Sequence, residues 1–295
     1  MKKIGISCGK LVQRFGVDRA FEIAKKSGFD AVDFNLEAYN LGDAVYGGSD
    51  DAFEAHFDRI RRKAAELELE ISQTHGRCRT YLPDDEKHNR SVEQVTALDL
   101  RATATLGAPS CVIHFVNNTR WGMRPAAEMH AISAEMFDKF IPAAEKYGVN
   151  IAMETFGAAR VSGARVRDFF ADHREFLYQF DRLKTEYKTA CVDTGHTHEA
   201  ESFWVIPPEE MIRTLGSRVS LLHLHDNSGH WDDHLLPGMG NIKWQAVFSA
   251  LEEIGYKGVY NFELAIGFAG SMLEEYMAFI GKYLRRFVDN GGNIK

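Results

Sequence analysis

Six successive apolar runs in this sequence each close on a histidine, an aspartate or a glutamate. They are Ile71-Ser72-Gln73-Thr74-His75, Cys111-Val112-Ile113-His114, Ile151-Ala152-Met153-Glu154, Ala190-Cys191-Val192-Asp193, Leu221-Leu222-His223-Leu224-His225 and Tyr260-Asn261-Phe262-Glu263. One such histidine is commonly a hydrogen-bonded structural residue, and one such glutamate a helix cap or a salt-bridge member. Six in a row make independent accident a poor explanation. Carboxylates gathered in one place repel one another unless a cation neutralises them. Imidazoles among them favour a transition metal over a bare Mg2+. The mixed set suits Mn2+, Co2+ or Zn2+, with Mg2+ as a further choice.

The runs that carry these residues read as strands. Strand patterns are expected at Lys3–Cys8, Ala31–Phe34, Leu69–His75, Ser110–Phe115, Asn150–Thr155, Thr189–Asp193, Val219–His225 and Gly258–Glu263. Helical patterns separate them: Val17–Lys26, Asp51–Leu67, Ser91–Leu106 with Ser91 as its cap, Ala126–Tyr147, Val166–Phe180, Pro207–Leu215, Trp244–Ile254 and Ser271–Val288. Several helices end in glycine just before a strand, as at Gly28, Gly148 and Gly255. Eight strand–helix units of about 37 residues each imply a single-domain (β/α)8 TIM barrel over residues 1–295. An open doubly wound sheet is the main competitor. It calls for a glycine-rich phosphate turn after the first strand, and Cys8-Gly9-Lys10-Leu11-Val12 is not one. In a barrel, the C-terminal strand ends line one mouth, so the six runs deliver their acids and imidazoles to one place.

Period-two alternation points His223 and His225 the same way. Asp193 and His196 flank a sharp Thr194-Gly195 turn, which lets Asp193 hold metal while His196 meets substrate or a second metal. His198 reads as a surface group. The segment from Asp226 to Ile242 is long for a strand–helix connection, and its Asp232-Asp233-His234 could add ligands or substrate contacts.

Composition narrows the function. The 295 residues carry 42 acidic and 35 basic side chains, a net charge of −7. That balance argues against non-specific nucleic-acid binding. No apolar run reaches the roughly 18 residues of a membrane span. The start, Met1-Lys2-Lys3-Ile4-Gly5-Ile6, reads as a first strand rather than a targeting segment. The four cysteines are far apart and lack CxxC spacing, so a reducing cytoplasm is the expected location.

Met153-Glu154-Thr155, Val192-Asp193-Thr194-Gly195-His196, His223-Leu224-His225-Asp226, the stretch from His234 through Pro237-Gly238-Met239-Gly240-Asn241-Ile242, and Phe262-Glu263 together resemble a known family. It is the xylose isomerase-like TIM-barrel superfamily of sugar phosphate isomerases and epimerases and of endonuclease IV. The resemblance spans nearly the whole chain. It implies one divalent metal, Mn2+ foremost, with Zn2+, Co2+ or Mg2+ as alternatives, held by Glu154, Asp193, His223 and Glu263. His223 is chosen over His225 because it stands three residues before an acidic one. Glu154 and Glu263 would form the acid/base pair for proton transfer through a metal-stabilised enediolate of a sugar or sugar phosphate. His75, His114, His196, His225, Trp121 and Arg120 would bind substrate, and Phe115 and Trp231 could wall it. In the endonuclease branch, positions like His75, His114, Asp232 and His234 hold two further zinc ions. An abasic-site endonuclease with up to three zinc ions is therefore the alternative, together with a lyase or a partner-dependent sugar-processing subunit. Arg77, Arg79, Arg120 and Arg124 suit a sugar phosphate as well as they suit DNA. Relatives of this kind are commonly dimers or tetramers, and a homo-oligomer is expected.

Overall fold

The computed structural model describes residues 1–293. Its described strands are β1 (Ile4–Ser7), β2 (Ala31–Asn35), β3 (Glu70–His75), β4 (Ser110–Ile113), β5 (Asn150–Glu154), β6 (Ala158–Val161), β7 (Ala164–Arg167), β8 (Lys188–Asp193), β9 (Val219–His223) and β10 (Tyr260–Phe262). Eight of them form one parallel sheet in the order β10-β1-β2-β3-β4-β5-β8-β9. The two ends of that order meet: Leu224 N donates to Asn261 O at 2.9 Å, and Glu263 N donates to Leu224 O at 3.2 Å. The sheet is therefore a nearly closed barrel with helices between its strands, as the alternation of patterns predicts. No helix among the described residues is long and apolar enough to cross a membrane.

The helices cover the barrel with one apolar face each. Val17–Lys26 buries Ala20, Phe21, Ile23 and Ala24, while its charged residues face out. The following Gly28 sits at φ +88°, a left-handed turn back toward β2 that a side chain would strain.

Two local expectations are corrected. The helix over Glu86–Leu106 begins a turn and a half before Ser91, because Asp85 caps it by accepting from His88 N at 2.9 Å. Part of the helix expected at Val166–Phe180 is a hairpin instead. β6 and β7 pair antiparallel across Ser162-Gly163, whose φ values of +51° and +83° suit a tight two-residue turn. A short 3-10 turn (Phe169–Ala171) and the helix His173–Arg182 follow.

Inside the barrel, Val112, Ala152, Cys191 and Leu221 form a small apolar cluster separate from the large core. They come from β4, β5, β8 and β9, and this layer is the floor of the mouth.

Candidate metal and active centre

Two residues beyond each member of that floor stand His114, just past the end of β4, and Glu154, Asp193 and His223, the last residues of β5, β8 and β9. A step of two keeps the inward direction, so the chain passes from apolar floor to ionisable mouth in one dipeptide. His223 stands at the centre and is fully buried. Its Nδ1 lies 2.9 Å from Glu154 Oε1, 3.1 Å from Glu263 Oε2 and 4.0 Å from Asp193 Oδ2. The four residues expected to hold a metal thus neighbour one another, Asp193 standing farthest out, although no one set of mutually close ligand atoms contains all four. His225, the rejected neighbour, turns instead to Asp193, with its Nε2 3.0 Å from Oδ1.

Glu154 faces two ways. Its Oε2 is buried without a well-formed hydrogen bond, although His114 Nε2 is 2.7 Å away and His75 Nε2 3.8 Å. On the other flank, Asp232 lies 3.4 Å from His196 Nε2, 3.1 Å from His234 Nε2 and 3.6 Å from His225 Nε2. Ligand atoms fall close enough to share an ion in several sets: His75, Glu154, His223 and Glu263; Glu154, Asp193 and His196; His225, Asp232 and His234; and His75, Cys78 and His114.

Backbone carbonyls aim three of the imidazoles. The Nδ1–H groups of His75, His196 and His234 donate to Gly76 O, Thr155 O and Glu263 O, each at 3.0 Å. A carbonyl only accepts, so Nδ1 carries a proton in each ring and Nε2 is the nitrogen turned toward the carboxylates, where it holds the second proton of an imidazolium or, once that proton leaves, a lone pair for a cation.

The charges respond to this crowding. Burial alone would lower the imidazoles, but nearby carboxylates hold His114, His196 and His223 well above the usual histidine range. His234 is likewise pushed, against burial, up to about 9 by its bond to Asp232. Burial would raise Glu154, yet His114 and His223 hold it well below the usual carboxylate range. Protons on imidazoles neutralise the acids in this arrangement, the task a bound cation would perform.

Local sequence explains the precision of the mouth. Thr194-Gly195 is not an isolated turn but the start of the helix Thr194–Ala200, capped by Asp193, whose Oδ1 accepts from His196 N at 2.6 Å. Gly195 is required there, since a Cβ would stand 1.8 Å from His225 Cε1. The loop after β9 is ordered by the buried Asp226 carboxylate, which accepts from Asn227 N, Gly238 N, Ile242 N and Trp244 Nε1. His234 holds φ +49° within this loop, a costly conformation of the kind that clusters at functional sites.

The other sequence candidates have partners of their own. Phe115 is fully buried and stacks on Phe170 at 4.3 Å, so it belongs to the core rather than to a substrate wall. Trp121 donates to Tyr81 O at 2.8 Å and packs in its loop, with the exposed Arg120 beside it. Trp231 is half exposed, with Arg160 over its ring at 4.1 Å. Arg77 is buried against Asp99 at 3.1 Å, which takes it away from an anionic substrate, and Arg124 forms a surface pair with Glu128. His198 is held by Glu201 and Asn241. Asp33 and Cys78 are the mouth residues that strand-end reading missed. A lone aspartate inside the apolar run Ala31-Val32-Asp33-Phe34 was the available signal for the first.

Comparison with known proteins agrees with this architecture. The family model described as xylose isomerase-like TIM barrel matches residues 21–279. A solved D-tagatose 3-epimerase-like protein is 21% identical, with a TM-score of 0.74 over 98% of this chain and 99% of its own. The IolI protein, solved with a bound zinc atom, is 18% identical, with a TM-score of 0.76 over 99% of both chains. An L-ribulose 3-epimerase is 17% identical, with a TM-score of 0.70 over 99% of this chain and 95% of its own.

Proposed function

The chain belongs to the xylose isomerase-like TIM-barrel family, and from that premise we propose that it is a divalent-metal-dependent isomerase or epimerase of a sugar or sugar phosphate. The observation that carries the reading is the meeting of Glu154, Asp193 and Glu263 around His223 Nδ1. Three carboxylates and one imidazole suit Mn2+ or Zn2+, and the buried Oε2 of Glu154, close to His114 but without a well-formed hydrogen bond, is an acceptor that a cation could use. The names of the fold relatives, two of them ketose 3-epimerases or proteins like them and one zinc-bound, point the same way.

A cation held there would supply Lewis-acid polarisation of a carbonyl. Glu154 and Glu263 do the proton work. One takes the proton from the carbon next to the carbonyl, leaving an enediolate, and the other returns a proton. Return to the opposite face of that carbon gives an epimer, and return to the neighbouring carbon gives an isomer. Glu263 keeps about a quarter of its side chain exposed, so it is the carboxylate that reaches the open mouth. His196 and His114 flank Glu154 and are placed to hydrogen-bond substrate oxygens. The test is incubation of the Mn2+-loaded chain with a panel of ketoses and ketose phosphates in deuterated water. Solvent deuterium at the carbon next to the carbonyl is expected, and its absence with every member overturns the assignment.

A second reading has its own observation. The sets around Asp232 and around His75 give room for further ions, as an abasic-site endonuclease with several zinc ions would need. Nicking of abasic duplex DNA by the zinc-loaded chain decides for it. The net charge of −7 and the burial of Arg77 against Asp99 favour the sugar.

A further inference from the structure

His75, His196 and His234 are each aimed by a backbone carbonyl behind the ring. His223 is turned the other way round. It offers Nδ1 to the carboxylates, and behind it Nε2 faces two side chains: Asp33 Oδ2 at 3.3 Å and Gln73 Nε2 at 3.0 Å. These neighbours make opposite demands. An amide N–H toward Nε2 favours a lone pair there, which puts the ring proton on Nδ1, against Glu154. A carboxylate toward Nε2 favours the proton on Nε2 and frees the Nδ1 lone pair. The three atoms form a near-equilateral triangle, with Gln73 Nε2 also donating to Asp33 Oδ2 at 3.2 Å, so the two amide hydrogens cannot serve both neighbours: the one given to Asp33 leaves none well aimed at His223 Nε2. Asp33 itself is wholly buried in mid-strand β2, and its Oδ1 has no hydrogen-bond partner. A buried, half-satisfied carboxylate is expensive, and nothing in the packing of β2 calls for one.

We infer that Asp33 is a positioning residue: it accepts the Nε2–H of His223 and so sets the tautomer whose Nδ1 lone pair points at Glu154, Asp193 and Glu263. The inference rests on the metal reading above. It makes Asp33 the side-chain counterpart of the carbonyls behind the other three rings. Partners of this kind orient a ligating histidine and raise its basicity. Asp33 does not touch the substrate.

The experiment uses the full chain and zinc alone as the probe. Zinc is titrated by calorimetry, against a competing chelator, into the wild type, Asp33→Ala and Asp33→Asn. Asp33→Ala removes the acceptor and should weaken zinc binding by roughly 10- to 100-fold. Asp33→Asn keeps a neutral acceptor and should fall between. A purely structural role would not produce that graded recovery. Nitrogen-15 spectra of the zinc-loaded wild type, with His223 assigned by loss of its signals in His223→Gln, should show Nδ1 bound to metal and Nε2 protonated. This measurement can overturn the inference even if Asp33→Ala does not fold, and the isosteric Asp33→Asn then carries the affinity test. Wild-type zinc affinity in Asp33→Ala, or metal on Nε2, overturns the inference and leaves the metal site standing. A wild type that binds no zinc overturns both. A wild type that binds zinc but converts no ketose removes the sugar assignment and leaves Asp33 in its place.

Discussion

A cavity of about 590 Å3 opens at the end of the barrel where the strands begin, lined among others by Lys2, Lys3, Glu70, Ser72, Asn150 and Tyr260. The candidate chemistry lies at the opposite end. Around the cavity, charges are paired off in water: Lys3 meets Glu70 at 2.6 Å and Lys2 meets Glu252 at 2.8 Å, with both partners substantially exposed. At the mouth, carboxylates and imidazoles crowd within 2.7–4.0 Å of one another, mostly buried, and Glu154 Oε2 and Asp33 Oδ1 remain without a hydrogen bond. Volume marks where a molecule could fit. Unresolved charge marks where the fold is organised for something it does not itself contain, and here the two properties occupy opposite ends of one barrel.

The largest contrast is expected in turnover. On a ketose that the wild type converts, Glu154→Gln and Glu263→Gln should each lower kcat by about 10^2- to 10^4-fold. Glu70→Gln, beside the cavity, should leave kcat within about twofold. Equal losses at both ends would break the comparison. Next comes stability. Zinc at about 100 times its Kd should stabilise the chain by about 2.7 kcal/mol, a rise of roughly 5 °C in melting temperature. A chelator should reverse it. A Glu154→Gln protein that gained the same stability from zinc would show that the ion binds away from the mouth.

Much of this asymmetry was legible in the sequence. The eight barrel strands follow from short apolar runs between helical patterns, and the mouth residues from what closes each run. The choice of His223 over His225 came from the resemblance, which puts the ligand three residues before an acid; in the structure His223 Nδ1 lies nearest Glu154 and Glu263, while His225 turns to Asp193. Other features depended on contacts between distant segments. Asp33 matters only because β2 lies across the barrel from His223. Asp226 matters only because the loop after it folds back to bring four donors to one carboxylate. The hairpin at β6 and β7 was readable in principle: Ser162-Gly163 stands between alternating apolar and arginine positions. The helical pattern following it obscured that signal.

The third contrast is in pH. His234 sits at about 9 in the folded chain, above the 6.5 of a free imidazole. The stability of the metal-free protein that comes from its pairing with Asp232 is therefore full below about pH 6.5 and is lost as pH rises through about 9. Metal loading runs the opposite way. An ion must displace protons from the raised imidazoles, so zinc affinity should rise with pH by up to about tenfold per unit for each proton displaced. Calorimetry in buffers of different ionisation enthalpy measures the protons released. Zero release near pH 7 would mean that the imidazoles are not ligands. The cavity lining at the other end holds no histidine, so its contribution should stay flat over this range.

The smallest effect belongs to the paired charges around the cavity. Lys3 and Glu70 are 60% and 43% exposed. Water screens such a pair, and holding two flexible side chains in one geometry offsets much of the attraction. Lys3→Ala should therefore cost less than about 1 kcal/mol in denaturant unfolding. The cost should shrink further in about 1 M salt, where the screening length falls to about 3 Å. Reading Lys3→Ala and Glu70→Gln singly and together isolates the pair from whatever each side chain does alone. A coupling of several kcal/mol that persists in salt would mean that the cavity end, too, holds charge the solvent cannot relieve. The cavity would then have to be weighed as a second functional site.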